Sequence, residues 1–418
     1  MLLPALVILA SCTREADSLF DPEEQYRPDP VITEITPDSA LAGITEITIA
    51  GEHFSPNPDE NVIFFKEDPK TEVVQRGSVL SASANELRVV SPPLYSDSVQ
   101  IKLSVLGALK YAVVSNYKLM PAVETISLRL DSDAPNMNIV AHGVAIDQYE
   151  DAYVLANVYN PTSASKVVRK LPFDGSFQRY VDSQFLTDGV VTGPGDTLFA
   201  AADLGRTKFV AAFPPGEGSS IYKSLSSAPR DLDFGEDGNV WIAAEDEVLL
   251  YSKSGDGSIT SLGSYPLQLM QLRHVDNRLY LLGQTDKNDY SEQIIWTTEI
   301  QEDDVLGDPV ELVNSATATW LDTAHINSFA LDADGRLYVA TSKQQDGVHI
   351  LDANGDHLEA LYPGLISAPI QDLTWGNQTY LYGTQVVSDA SPIESNLLKI
   401  DLQRIGSKYW GRELVTNL

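Results

Sequence analysis

Alternation, turn chemistry and repetition mark this as an all-β sequence, a β-sandwich followed by a six-bladed β-propeller. Residues 327–341 read NSFALDADGRLYVAT, with Phe329 and Leu331 alternating before an Asp-Gly turn and Leu337 to Ala340 following it. Alternating runs on both sides of such a turn are the strongest local hairpin signal. The same phrase returns at 230–244 (RDLDFGEDGNVWIAA), 142–156 (HGVAIDQYEDAYVLA) and 188–202 (DGVVTGPGDTLFAAA), with weaker copies at 271–282 and 371–382. The period of roughly 40–45 residues is that of a blade-type repeat. Within each copy the apolar spacing is two residues, and aromatic and β-branched types dominate, which argues against a helical array.

The 418 residues exceed what one compact core holds, and the sequence divides itself. Residues 1–12 form one segment, 13–30 an acidic tether, 31–120 a first domain and 121–418 a second. The first domain carries short period-two runs at 31–37, 43–51, 62–65, 86–92, 99–105 and 111–114, each bounded by Gly, Pro, Asn or Ser. About seven short strands in about ninety residues read as a sandwich. Gly51 ends a strand and Phe54 can fold back beneath the sheets. The order of PVITEITP at 30–37, Gly43, ITIAG at 47–51 with Phe54, VVSPP at 89–93 and Tyr117 resembles the immunoglobulin-like IPT/TIG domain. That resemblance implies a spacer or binding module without an active site; His53 then sits in a solvated turn.

The amino-terminal MLLPALVILASC is a short apolar run ending in small residues before the single cysteine. It reads as a secretory signal. Leu9-Ala10-Ser11-Cys12 resembles the lipobox of bacterial lipoproteins, which implies acylation of Cys12 and anchoring without a membrane span. Thr13 to Pro30 is acidic and rich in proline, as an extended tether is. In that family a residue other than Asp after the cysteine implies outer-membrane sorting, and an acidic tether resembles those of surface-exported members. With one cysteine, neither an intramolecular disulfide nor a cysteine-based metal site is available. The net charge of −31 repels phosphate backbones and argues against nucleic acid as a partner.

In the second domain, 123–130 alternates ahead of the first repeat and is placed to close the ring as an outer strand of the last blade. Six units of four strands make the propeller. The D-x-D-G-x-L-Y-V form at 332–339, echoed at 236–242, resembles NHL-type and gluconolactonase-like propellers. Such likeness specifies fold far better than function.

The signatures of metalloprotease, α/β-hydrolase and P-loop chemistry are absent, and no residue is assigned a catalytic role. Asp332-Ala-Asp-Gly335 and Asp352-Ala-Asn-Gly355 read as hairpin turns and not as calcium loops, because no bidentate glutamate comes after them at the required spacing. Aligned by repeat, His142, Asp188, Arg230, Gln271, Asn327 and Gln371 open the innermost strands and line one mouth of the channel. One acid, one base, three amides and a histidine hold too few carboxylates for a divalent metal, and suit a polar, water-filled channel rim or a site that hydrogen-bonds a neutral polyol. Trp320, in a surplus stretch at 283–323, is a candidate for stacking on a sugar face, while Trp241 and Tyr338 fall at core positions.

The expectation is therefore a lipid-anchored, surface-exposed outer-membrane lipoprotein that binds and does not turn over its ligand, with no cofactor and no metal. Its resemblance to lipoproteins found beside outer-membrane nutrient-uptake systems implies capture of a glycan or a peptide. Two alternatives stay open. One is a lactonase-like or lyase-like enzyme whose axial divalent metal is held by residues such as Asp188, Asn327 and His142. The other is a scaffold docking on an outer-membrane transporter.

Overall fold

The structure is a computed structural model that describes residues 26–67, 73–160, 163–183, 186–253, 257–286, 289–367, 369–387 and 392–413. Cys12, the signal-like segment and most of the acidic tether lie outside the described residues. The chain divides into two compact units, Met1–Pro121 and Ala122–Leu418.

The first unit is an immunoglobulin-like sandwich. Strands β1 (Val31–Thr36), β3 (Glu46–Glu52), β6 (Ser78–Ala82) and β7 (Glu86–Val90) form one sheet in the order β1-β3-β7-β6. The other runs β2-β9-β8-β4-β5, from β2 (Ser39–Leu41), β4 (Asn61–Glu67), β5 (Val74–Arg76), β8 (Ser96–Val105) and β9 (Ala112–Met120). Alternate residues of the facing strands, among them Ile47, Ile49, Ile63, Phe65, Leu87, Val89, Ile101 and Leu103, are buried and make one core. Gly51 is required where it stands: a Cβ there would lie 1.9 Å from the Val31 carbonyl oxygen and 2.5 Å from the Phe54 ring. The Tyr117 hydroxyl donates to the Pro37 carbonyl at 2.8 Å and ties the last strand to the first turn. The tether reading extends too far, since Arg27 already pairs with Ala108 and the Arg27 amide donates to the Gly107 carbonyl at 2.9 Å.

The second unit is a six-bladed propeller. Blade 1 spans Asn138–Ile146, Ala152–Asn160, Ser163–Leu171 and Gln178–Ser183; blade 2, Leu186–Gly193, Thr197–Asp203, Lys208–Phe213 and Ser220–Leu225. Blade 3 spans Pro229–Phe234, Val240–Ala244, Glu247–Tyr251 and Ile259–Ser264; blade 4, Gln268–Val275, Arg278–Asp286, Asp289–Glu299 and Val310–Asn314. Blade 5 spans Ile326–Leu331, Leu337–Thr341, Val348–Leu351 and His357–Ala360. Blade 6 takes Ile370–Trp375, Tyr380–Val387 and Glu394–Asp401, and its fourth, outermost strand is β10 (Val123–Ser127) from the start of the unit. Closure by β10 covers the edge where first and last blades meet.

The repeated phrase is now explained. Asp332 Oδ1 accepts the amides of Asp334 and Arg336 at 3.0 and 2.9 Å, and its Oδ2 accepts the Tyr338 hydroxyl at 3.2 Å. Asp147 does the same in blade 1, accepting the amides of Tyr149 and Asp151 and the Tyr153 hydroxyl. One aspartate thus holds its turn and fixes the aromatic ring that packs between blades. The stretch 283–323 is not mainly a surplus loop, for it contains most of blade 4's outer strands. The interval between repeats is long there because the connections at 300–309 and 315–325 flank the fourth strand, beside second and third strands of nine and eleven residues.

Candidate functional site

The innermost strands run side by side around the axis, so their first residues ring one mouth of the channel and their last residues ring the other. Every innermost strand carries a register shift near its start: Ala141/Gly143, Leu186/Val190, Pro229/Asp231, Leu269/Gln271, Ile326/Ser328 and Ile370/Asp372. A bulge re-aims side chains, so two neighbouring residues reach the same space. At the first mouth this makes a cavity of about 460 Å³ to which Arg230 with Asp231, and Gln371 with Asp372, contribute as adjacent pairs. His142, Gln271 and Asn327 line it as well, together with Asn157, Lys166, Arg273, Gln284 and Tyr290. Five of the six aligned mouth residues are thereby brought together; the side chain of Asp188 lies outside the described residues. Trp320 is not part of this cavity. It stacks on His357, ring centroids 5.1 Å apart, and backs onto the blade 4–5 core.

The floor of the cavity carries charges that the repeat alignment missed. Arg273 Nη1 donates to Asp231 Oδ2 at 2.6 Å, and that oxygen also accepts the Leu272 amide at 3.0 Å. Asp233, which borders the void below this floor, accepts the His274 amide at 2.8 Å, and Asp372 accepts the Val144 amide at 2.9 Å and the Ser328 hydroxyl at 2.7 Å. Each aspartate therefore joins one blade to the next. Burial raises the pKa of all three, against the opposing pull of Arg273 and the amides: Asp233 to about 7, Asp372 to about 6, Asp231 in the same direction. Burial alone would lower that of Arg273, but Asp231, Asp372 and Asp233 raise it and hold the guanidinium charged.

Several polar residues at the mouth are clasps as well as lining. Gln271 Nε2 donates to the Ser328 hydroxyl and the Phe329 carbonyl, and its Oε1 accepts the Phe329 amide at 2.7 Å. Gln293 holds both the amide and the carbonyl of Ile326 in the same way, each at 2.7 Å. Asn327 Nδ2 donates to the Ile370 carbonyl at 2.7 Å, and His142 Nε2 meets the Asn157 amide nitrogen. Tyr290 stacks on His325 at 4.1 Å between ring centroids and offers an aromatic face at the rim. Among the described residues, no three His, Cys, Asp or Glu side chains converge to hold a metal ion.

The second mouth is closed by the chain's own carboxyl-terminal segment. The Ser407 amide donates to the Leu331 carbonyl at 3.0 Å, the Tyr409 hydroxyl to the Thr192 carbonyl, and Arg412 Nη1 to the Trp375 carbonyl at 2.7 Å. The segment thus touches blades 5, 2 and 6. Gly411 allows the close approach, since a Cβ there would lie 2.4 Å from the Thr192 oxygen. A void of about 50 Å³ remains beneath, bordered by Asp233, Arg273 and His274. The described part of the segment lies across this end of the channel, which leaves the first mouth as the wider entrance.

Residues 30–119 match the IPT/TIG domain family, and the unit beyond them is a six-bladed propeller. None of the curated proteins matches the sequence. Among solved structures, the chain is similar to a protein of unknown function from Bacteroides thetaiotaomicron (15% identity, TM-score 0.46, covering 91% of this chain and 99% of that one). It is also similar to a gluconolactonase from Xanthomonas campestris (16%, TM-score 0.46, covering 67% and 99%). A third is a virginiamycin B lyase from Staphylococcus aureus (10%, TM-score 0.42, covering 66% and 99%).

Proposed function

We propose that this protein is a surface lipoprotein, anchored by an acyl group on Cys12, whose propeller captures a small polar ligand at its open mouth. The sugar end of a glycan fits that mouth better than a peptide does. One observation carries this: a cavity of about 460 Å³ walled by amides, by Lys166 and Arg230 and, at its floor, by the Arg273–Asp231 pair and Asp372, with Tyr290 at its rim, in a chain of net charge −31. Amides match hydroxyl groups in both donor and acceptor roles, guanidinium matches a carboxylate bidentately, and a phenol ring matches the apolar face of a pyranose. A neighbouring outer-membrane transporter would receive such a ligand.

The test is calorimetric titration of the purified protein with neutral and uronate-bearing oligosaccharides and with oligopeptides. Arg230→Ala is expected to weaken binding of an acidic sugar about tenfold with the denaturation midpoint unchanged. Gln271→Ala should instead lower stability by roughly 1–3 kcal/mol, because it strands the Phe329 amide in the core. Binding of neither sugar class to a folded protein would defeat the proposal, and binding of peptides alone would replace the glycan with a peptide.

The floor of the cavity favours a second reading, turnover at the same site. Buried carboxyls with raised pKa values beside a fixed cation are what acid–base catalysis uses. The lactonase-like form adds a divalent metal near Asn327, His142 and Asp188. Elemental analysis after metal saturation separates the two: a stoichiometric ion, with product released from a lactone or glycan, selects the enzyme.

A further inference from the structure

The hairpin between β8 and β9 presents large apolar side chains to solvent at one pole of the sandwich: Leu106 is 69% exposed, Leu109 65%, Tyr111 54% and Val113 43%. Among the described residues of the first unit, no loop or strand covers them. Isolated exposed apolar residues need no account, but four within eight positions on one hairpin tip form a patch that calls for a cover.

The amino-terminal segment arrives at this same pole. The Arg27 amide donates to the Gly107 carbonyl at 2.9 Å, Arg27 Nη1 donates to Glu60 Oε2 at 2.6 Å, and the Leu106 amide donates to the Glu60 carbonyl. Asp29 Oδ1 accepts the Lys110 amide at 2.9 Å. Entering chain and tip are therefore one rigid piece. From it, β9 carries the chain away to the opposite pole, roughly 30 Å off at strand rise. Charge agrees with this placement. Arg27 pairs with Glu60, Lys110 lies 3.8 Å from Asp29, and the Lys102 ammonium sits 3.4 Å over the Tyr111 ring. In a chain of net charge −31 the tip has its basic groups matched and its aliphatic groups bare.

Cys12 lies fourteen positions before Tyr26. That length spans at most about 50 Å when extended and about 20 Å as a coil, so an acylated Cys12 brings this pole to the bilayer surface. We infer that the β8–β9 tip is a membrane-seating surface: Leu106 and Leu109 enter the lipid headgroup region, Tyr111 lies at its polar boundary, and the sandwich stands on the bilayer in one orientation. The inference rests on the lipoprotein reading above. Its chemistry is that of interfacial anchoring, in which a lipid chain and a second, protein-borne contact act together.

The experiment uses the full chain purified from membranes and seated in vesicles of phosphatidylethanolamine and phosphatidylglycerol. Mass spectrometry of the amino-terminal peptide reads acylation of Cys12, which also consumes that thiol. Leu106→Cys, Leu109→Cys and, on the propeller, Leu358→Cys each carry an environment-sensitive fluorophore. Blue-shifted emission quenched by lipid-borne nitroxides is expected at 106 and 109 and not at 358. Water-like emission at 106 and 109 in an acylated, vesicle-bound protein overturns the seating surface and leaves the anchor intact. An unmodified Cys12 overturns the anchor and the seating with it. A blue shift in native outer membranes but not in pure lipid assigns the tip to a protein partner and overturns the lipid as its occupant.

Discussion

Replacing Arg273 with methionine is expected to lower the stability of the propeller by roughly 3–5 kcal/mol, the range found when one member of a buried ion cluster is removed. Methionine fills much of the same volume, so the loss is electrostatic and not a cavity effect. Asp231 and Asp233 are buried and Asp372 is partly buried at the cavity floor, and the guanidinium at 2.6 Å from Asp231 is the cation that offsets their burial. Without it the carboxyls must take protons or drive the blades apart.

The pH dependence has a definite sign. A carboxyl whose folded pKa is raised binds its proton more tightly folded than unfolded, so its cost is absent at low pH and grows as pH rises through the folded value. For Asp372 and Asp233 that window runs from about 4 to about 6 and about 7. His274 works the other way: burial lowers its pKa to about 4, so its contribution is present above about 6.5 and lost on acidification. The carboxyl and histidine slopes oppose one another in the parent protein, which is why the variant is the informative comparison. Arg273→Met raises the carboxyl pKa values further and leaves His274 untouched. Urea unfolding at pH 5 and pH 8 should show the larger deficit at pH 8. Equal deficits at the two pH values would mean that the cluster is not what holds the axis.

This part of the molecule is also the least legible in the sequence. The blade hairpins announce themselves because their information is local: Asp332, Gly335 and Tyr338 sit within seven residues, and Asp147 does the same work in blade 1, while Gly193 and Gly235 take that position in blades 2 and 3. The mouth residues are legible to one position per blade. Period-two reasoning sends neighbours to opposite faces, which places Asp231 beside Arg230 and Asp372 beside Gln371 away from the channel. The register shift at the start of each innermost strand cancels that assignment, and no residue type marks it. Arg273 is hidden because its blade holds the weakest copy, aligned through Gln271 alone. The plug at 405–412 has no period, and its contacts with Thr192, Leu331 and Trp375 are separated from it by dozens to hundreds of residues. Strands β2, β5 and β6 escape notice as three- to five-residue strands whose partners, and not their own alternation, define them. Trp320 is drawn toward the ligand by chemistry that is as well satisfied by packing against His357.

Replacing Val123–Ser127 with a glycine–serine segment of equal length should open the ring. β10 pairs with the third strand of blade 6 through five registered positions, Val123 with Ile400 to Ser127 with Asn396. At about 1 kcal/mol per backbone bond the lost ladder amounts to roughly 5 kcal/mol, without counting Leu128 just beyond it. Leu128 is fully buried against the core shared by blade 1 and blade 6, and its carbonyl accepts a hydrogen bond from Arg169, itself paired with Asp133 at 2.8 Å. The segment is therefore held on both sides of the seam between first and last blades. Its loss has a second consequence, because Glu394–Asp401 becomes an exposed edge of eight residues, and a long bare edge recruits other chains. Lys399 on that edge offers some protection against pairing, but Leu397, Leu398 and Ile400 favour it. The expected result is a lowered, less cooperative denaturation transition for the propeller with an unchanged transition for the sandwich, together with concentration-dependent association in sedimentation velocity. Adding a synthetic peptide of residues 122–130 should restore the monomer, because it supplies the missing strand without the covalent link. A variant that stays monomeric and unfolds at the parent's midpoint would show that the ring is held by the contacts of the innermost strands alone, and that β10 covers an edge without closing anything.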